Sequence, residues 1–343
     1  MSTQTLDTPS LQAYLEGRLP DFAGSLTAEK FAGGQSNPTF LLSDGQRRWV
    51  LRRKPPGELL ASAHAVDREY RVLSALRDTE VPVAQTFLLC EDESVIGSMF
   101  YVMEYLDGRV IWDPRLPEID SNGERAAIYS DMNRVLAALH NVDVEAVGLS
   151  DFGRPGNYFE RQVGRWTKQY RASETERSEA METLIAWLPA NMPEDDGGVS
   201  LVHGDYRLDN LMFHASEPRI IGVLDWELST LGHPLADLAY QVMAWQLPPA
   251  GGMRGLMDVD REALGLPSDS EYVRQYCERT GRDRIDNWNF YLVFCFFRLA
   301  AILQGVKKRA LIGTASSAEA EAKGAMVEPL ADFGVRLIED GPA

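Results

Sequence analysis

The stretch 201–213, LVHGDYRLDNLMF, constrains this chain more than any other. Leu201-Val202 and Leu211-Met212-Phe213 are apolar and read as short buried strand pieces. Between them stand His203, Asp205, Arg207, Asp209 and Asn210. A buried polar group without a partner costs roughly 1–3 kcal/mol, so these side chains cannot simply fill a core. They read as a polar loop pinned between two buried anchors, a common way to present chemistry. A further strand at about 219–225 (RIIGVLD) ends on Asp225.

The flanking pattern is asymmetric. Residues 9–18 read as a short helix, 28–42 as strand, glycine-containing turn and strand, and 47–53 as a third strand. In that third strand Trp49 and Leu51 share one face, Val50 and Arg52 the other. PPG at 55–57 stops it, and a helix follows over 62–77. Ser62 is its expected N-cap, with Val66, Tyr70, Leu73 and Leu76 at helical spacing. Two more strands are expected near 84–90 and 98–105. After Gly108 the segments 122–141, 157–190, 235–246, 269–280, 286–310 and 318–338 read as helical, and 247–258 as a mobile Pro-, Gly- and Met-rich loop beside a site. The order predicts an α+β, two-lobed chain: an N-terminal antiparallel-sheet lobe over 1–106 and a larger helical lobe over 107–343. The apolar run at 290–303 carries Arg298 and is short for a bilayer, so it reads as a buried helix.

Charge and cysteine content narrow the partners and the compartment. A net charge of −17 argues against nucleic acid or an anionic membrane as the main partner. Cys90, Cys277 and Cys295 lack paired spacing, which fits a reducing compartment and argues against a thiolate metal site. The start, MSTQTLDTPS, shows no export signal, so a cytoplasmic location is expected.

His203-Gly204-Asp205, Asn210 and Asp225 supply the set that phosphoryl transfer requires. One carboxylate orients or deprotonates an attacking hydroxyl, while an oxygen side chain and a second carboxylate hold Mg²⁺ on nucleotide phosphates. The parts expected upstream are present in order. Gly33, Gly34 and Ser36 lie in a turn whose backbone N–H groups can meet phosphate. Arg52 and Lys54 are candidate phosphate ligands, and Glu69 on the next helix is a candidate partner for that cation. Tyr101-Val-Met103-Glu104-Tyr105-Leu106 ends the sheet with backbone groups able to read an adenine edge.

These residues together match the protein-kinase-like fold, and HGDYRLDN with VLDWE resembles the catalytic loop and metal-binding segment of the aminoglycoside phosphotransferase family, over about residues 25–310. The resemblance implies Asp205 as catalytic base, Asn210 and Asp225 as Mg²⁺ ligands, and Glu69 as the helix partner. It implies Glu104 and Leu106 as hinge contacts to ATP and Met103 as part of the adenine pocket. Where relatives carry a strand lysine this chain has Arg52, with Lys54 two residues on, and either is a candidate for the phosphates. Trp226-Glu227 after Asp225 suits the small-molecule branch. VLRRKPPGELLASAHAVDREYRVLSAL with VLDWELSTLGHPLADLAY further resembles the kinase domain fused ahead of acyl-CoA dehydrogenase in larger proteins. That branch implies a 4-hydroxyacyl-CoA acceptor, and this chain would be its stand-alone form.

Other readings were weighed on the same residues. An aminoglycoside or other small alcohol is the alternative acceptor. A hydrolytic two-metal site from His203, Asp205, Asp225 and His233 explains the acidic cluster but not Arg52 or Glu69. A non-catalytic nucleotide-binding protein of this fold is disfavoured by the intact Asp205, Asn210 and Asp225. Singly, His203 reads as a structural histidine, Asp237 as a brace for the loop backbone, and Lys307-Lys308-Arg309 as a solvated helix end rather than a diphosphate site. Met243, Trp245 and Met253 read as packing, and His64 and His140 have no evident partner.

Overall fold

The computed structural model describes residues 6–31, 37–55, 65–249, 254–313 and 320–341. In chain order the elements are α1 (Thr8–Leu15), β1 (Thr27–Lys30), β2 (Thr39–Ser43), β3 (Arg48–Arg53), α2 (Val66–Leu76), β4 (Thr86–Cys90), β5 (Phe100–Glu104), β6 (Gly108–Val110), α3 (Asn122–His140), α4 (Tyr158–Ser173) and α5 (Glu179–Ala190). They continue as β7 (Ser200–Val202), β8 (Leu211–His214), β9 (Ile220–Val223), β10 (Thr230–Gly232), α6 (Leu235–Trp245), α7 (Arg261–Leu264), α8 (Asp269–Thr280), α9 (Trp288–Leu311), α10 (Ala320–Gly324) and α11 (Val327–Asp340). The chain forms two compact units. The first holds residues 1–110, 145–149 and 209–229, and the second holds the rest. Residues 209–229, well past the expected boundary at 106–107, therefore pack with the first unit.

The first unit is built on an antiparallel sheet ordered β1-β2-β3-β5-β4. Alternation sorts its faces. Phe40, Leu42, Trp49, Leu51, Phe100 and Val102 join Leu11 and Leu15 of α1 in one buried cluster. Each large apolar side chain so buried contributes roughly 1.5–3 kcal/mol before chain entropy is subtracted. The opposite face carries Arg52 and Tyr101, both of which reach Glu69 on α2. Helix α2 buries Val66, Glu69, Val72, Leu73 and Leu76, one stripe at helical spacing with a carboxylate inside it. Its N-cap is Ala65, with no side-chain hydrogen bond; Ser62, the expected cap, lies outside the described residues.

A three-stranded sheet, β6-β8-β9, completes this unit. Gly222 in β9 has a specific reason: a Cβ there would come 2.3 Å from Leu106 Cδ1.

In the second unit, α9 runs through the interior with Phe290 to Ala301 buried, packed by α4, α6, α10 and α11. At 24 residues it exceeds the apolar run seen in the sequence and has the length and hydropathy of a membrane-crossing helix. Its burial within the protein accounts for its composition, whereas shortness does not. The segment expected to be helical over 157–190 is two helices, α4 and α5, and Ser178 caps the second through the Met181 amide. The segment expected over 318–338 likewise divides into α10 and α11. β7 and β10 pair antiparallel, Val202 opposite Thr230, and present the loop that begins at His203. The three cysteines are free and buried.

Candidate active site

In the first unit Arg52 is the central charge. Its Nε lies 2.7 Å from Glu69 Oε2 and its Nη2 2.7 Å from Asp225 Oδ1, with Glu227 Oε2 at 3.9 Å. Glu69 is 2% exposed, so this is an interior ion pair and not a surface one. The Asn37 amide donates to Glu69 Oε1 at 2.6 Å, and the Tyr101 hydroxyl donates to Oε2 at 3.1 Å. Burial pushes Glu69 up to about 7, while the Arg52 guanidinium and the two donors pull the other way. Lys54 lies just past β3 with its amide on the Met99 carbonyl, and its side chain makes no ion pair among the described residues.

Asp225 and Asn210 are brought together by strand pairing. Leu211 faces Val223, and the Leu224 amide donates to the Asn210 carbonyl at 2.8 Å. Asp225 then turns out of β9 in the left-handed region, φ 64° and ψ 62°, which Asp tolerates better than most residues. Trp226 anchors the turn through Nε1 on the Val223 carbonyl, 2.9 Å away. One amide oxygen and one partly exposed carboxylate on neighbouring strand ends suit a hard cation that takes its other ligands from phosphate and water. Among the described residues no group of three or more His, Cys, Asp and Glu is arranged to hold a metal.

Met103 is half-buried in β5 and shares its face with Tyr101. The Glu104 amide is spent on the Gln85 carbonyl at 2.8 Å, so Glu104 offers its carbonyl rather than its N–H. Gly33, Gly34 and Ser36 lie outside the described residues, as do Met253 and His64.

In the second unit the Asp205 loop is braced from α6. Asp237, 1% exposed, accepts from the His203 amide at 2.6 Å and the Gly204 amide at 2.9 Å. His140 Nε2 lies 3.4 Å from the same carboxylate, and its Nδ1 pairs with the Tyr276 hydroxyl at 2.7 Å. Burial tends to raise the Asp237 pKa, but His140 and the loop amides outweigh it and hold the group below its ordinary value. His203 is fully buried, and its Nδ1 accepts the Asp205 amide at 3.2 Å. It is therefore structural, as its setting in the sequence suggested. Gly204 sits at φ 84°, a conformation that glycine adopts without a steric penalty. Arg207 Nε lies 3.7 Å from Asp205 Oδ2.

His233 belongs elsewhere. Its Nδ1 takes the Leu235 amide and its Nε2 meets Asp196 Oδ1 at 3.2 Å, so both ring nitrogens are occupied. The two-metal alternative loses its second histidine. Met243 and Trp245 are buried packing residues. Lys308 donates to the Ala172 carbonyl, and Lys307 lies 4.0 Å from Glu176.

Asn37, Tyr101, Tyr240 and Arg298 were not singled out by the sequence reading. Tyr101 had a visible signal, because period-two alternation puts it on the face of Met103. The others had none, since their partners are distant in the chain.

A sheet-borne cation locked to a helix carboxylate, a strand-end Asp and a braced His-Gly-Asp loop define a kinase-like phosphotransferase. The chain belongs to the phosphotransferase enzyme family, whose model matches residues 27–280. Solved structures of similar fold include aminoglycoside and macrolide phosphotransferases and a choline kinase. A crystal structure from Ralstonia eutropha JMP134, provisionally named an aminoglycoside phosphotransferase, is similar at TM-score 0.91 and 51% identity, covering 99% of this chain and 100% of that one. The aminoglycoside phosphotransferase APH(4)-Ia, solved with AMP-PNP and hygromycin B, shares the fold at TM-score 0.62 and 15% identity, covering 96% of this chain and 98% of that one. Acyl-CoA dehydrogenase family member 10 of Mus musculus is 48% identical over 351 residues, 99% of this chain and 33% of that relative. The chain thus spans about a third of the length of that curated relative.

Proposed function

We propose that this protein transfers the γ-phosphoryl group of ATP, with Mg²⁺, to the hydroxyl of a small molecule, and that the acceptor is a 4-hydroxyacyl thioester of CoA. The observation that carries the transfer reading is Arg52 bridging Glu69 and Asp225. Held there by a buried carboxylate, the guanidinium is a fixed positive charge available to nucleotide phosphates. The Glu104 carbonyl and the Leu106 amide would meet an adenine edge, with Met103 against the ring. Gly33, Gly34 and Ser36 are assigned to the phosphates on sequence grounds, with Lys54 as the alternative cation. Asn210 and Asp225 would hold Mg²⁺, which would supply positive charge to the phosphates. Asp205 accepts the acceptor hydroxyl's hydrogen bond and takes its proton, so catalysis is positioning and charge neutralisation.

The acceptor assignment is supported by the similarity to a relative named as an acyl-CoA dehydrogenase family member, in which a hydroxyacyl thioester would lie one step from dehydrogenase chemistry. A cytoplasmic location is part of the same proposal. The test is ATP consumption with Mg²⁺ by wild type and Asp205→Asn, against 4-hydroxyacyl-CoA thioesters, free 4-hydroxy acids, aminoglycosides, choline and homoserine. The expected result is turnover with the thioesters alone, lost in Asp205→Asn. Turnover with an aminoglycoside alone would replace the acceptor and keep the chemistry. Absence of Mg-ATP binding would overturn the kinase reading.

A further inference from the structure

The loop carrying Asp205 is clamped from more sides than Asp237 alone provides. With the amides of His203, Gly204 and Asp205 taken up by Asp237 and His203, the Gly204 carbonyl accepts from Arg298 Nη2 at 2.7 Å. Arg298 lies midway along α9 and is 8% exposed. Its guanidinium stands 5.6 Å from the Tyr240 ring centroid and 5.9 Å from that of Trp166. Among the described residues no carboxylate pairs with it, and its Nε has no hydrogen-bond partner. Asp237 acts on it through space, and an apolar residue here would pack among the apolar neighbours of α9 without needing any partner. Among the described residues the acceptor its guanidinium reaches is the carbonyl before Asp205.

Tyr240 follows Asp237 by three positions, on the same face of α6. Its ring is covered by Arg298, 5.6 Å from the guanidinium. Gly204 is the most conformationally free residue the loop has, and it immediately precedes Asp205. Tying down both its amide and its carbonyl removes that freedom where a change in backbone angle would swing the carboxylate.

We propose that Arg298 is a positioning residue for Asp205, acting through the Gly204 carbonyl, with the Tyr240 ring packed over its guanidinium. This rests on the reading of Asp205 as the group that orients the acceptor hydroxyl. A loop misplaced by an ångström loses turnover while nucleotide contacts in the first unit remain.

The experiment compares Arg298→Met, Arg298→Lys and Asp205→Asn with wild type in the full chain. Three quantities are read: amide hydrogen exchange over 201–208, thermal midpoint, and phosphoryl transfer from Mg-ATP. For Arg298→Met the expected results are faster exchange confined to 201–208, a kcat lower by about tenfold or more, and a KM for ATP within about twofold. Arg298→Lys recovers part of both losses, because an ammonium still reaches the carbonyl. Unchanged exchange at 201–208 in Arg298→Met overturns the proposal, whatever the activity. So does a loss of kcat that merely follows a general fall in thermal midpoint, with Lys no better than Met. If Asp205→Asn retains turnover, the parent reading fails instead, and the exchange result still decides whether Arg298 anchors the loop.

Discussion

Arg52 Nε and Glu69 Oε2 are 2.7 Å apart inside the first unit, with side-chain exposures of 13% and 2%. Asn37 and Tyr101 satisfy the rest of the carboxylate, and Asp225 takes the other edge of the guanidinium. Removing one member leaves a buried charge uncompensated. Glu69→Ala is expected to lower unfolding free energy by about 3–5 kcal/mol, measured by urea denaturation. Arg52→Lys keeps the charge but cannot bridge Glu69 and Asp225 with one planar group, so the KM for ATP should rise by about tenfold. Equal KM values in the two enzymes would move the phosphate role to Lys54.

Asp225 separates conformation from chemistry. Its left-handed backbone costs roughly 1–2 kcal/mol for most residues and less for Asn and Asp. Asp225→Asn keeps the turn and an oxygen for Arg52, so its thermal midpoint should stay close to that of wild type. Its gain in nucleotide affinity on adding Mg²⁺ should shrink by about tenfold or more, read by titration with and without the metal. Asp225→Ala should lose the same gain and also melt lower than the Asn variant.

Asp237→Ala removes the acceptor of two buried amides. Each N–H left unsatisfied costs about 1–3 kcal/mol, so chemical denaturation should show a loss of several kcal/mol. Asp237→Asn offers one oxygen for two donors and should fall between. An Ala variant as stable as wild type would show that water replaces the brace.

His233 makes stability depend on pH. Burial, with Arg282 adding to it, lowers its pKa below the ordinary 6.5, against the pull of Asp196 and Asp195. The folded state therefore binds fewer protons than the unfolded state just below pH 6.5. Its contribution is complete above about pH 6.5 and is lost as pH falls through the lower, folded value. Thermal midpoints between pH 7.5 and 5 should decline for wild type and decline less for His233→Asn, whose amide oxygen can still take the Leu235 amide. Parallel curves would assign the decline to other groups.

Much of the site was visible in the sequence because its signals are local. His203, Asp205 and Asn210 share one loop, Asp225 ends the next strand, and Glu69 falls on the apolar stripe of α2 by helical spacing. The two apolar stretches flanking the loop, Leu201-Val202 and Leu211-Met212-Phe213, lie in β7 and β8. The break between α4 and α5 inside 157–190 was missed because periodicity marks an element's interior better than its ends.

What the sequence alone determined was residue type, spacing and strand alternation, and these suffice for the order of elements and the carboxylate and amide set. Tertiary structure decided which groups meet. Arg52 and Asp225 are 173 positions apart, Gly204 and Arg298 are 94, and His140 and Asp237 are 97. Whether a charge is a solvated ornament or an interior fixture depends on burial and on partners that only the folded chain supplies. That is why Arg298, a lone cation in an apolar run, carried no signal until its guanidinium was seen on the carbonyl before Asp205.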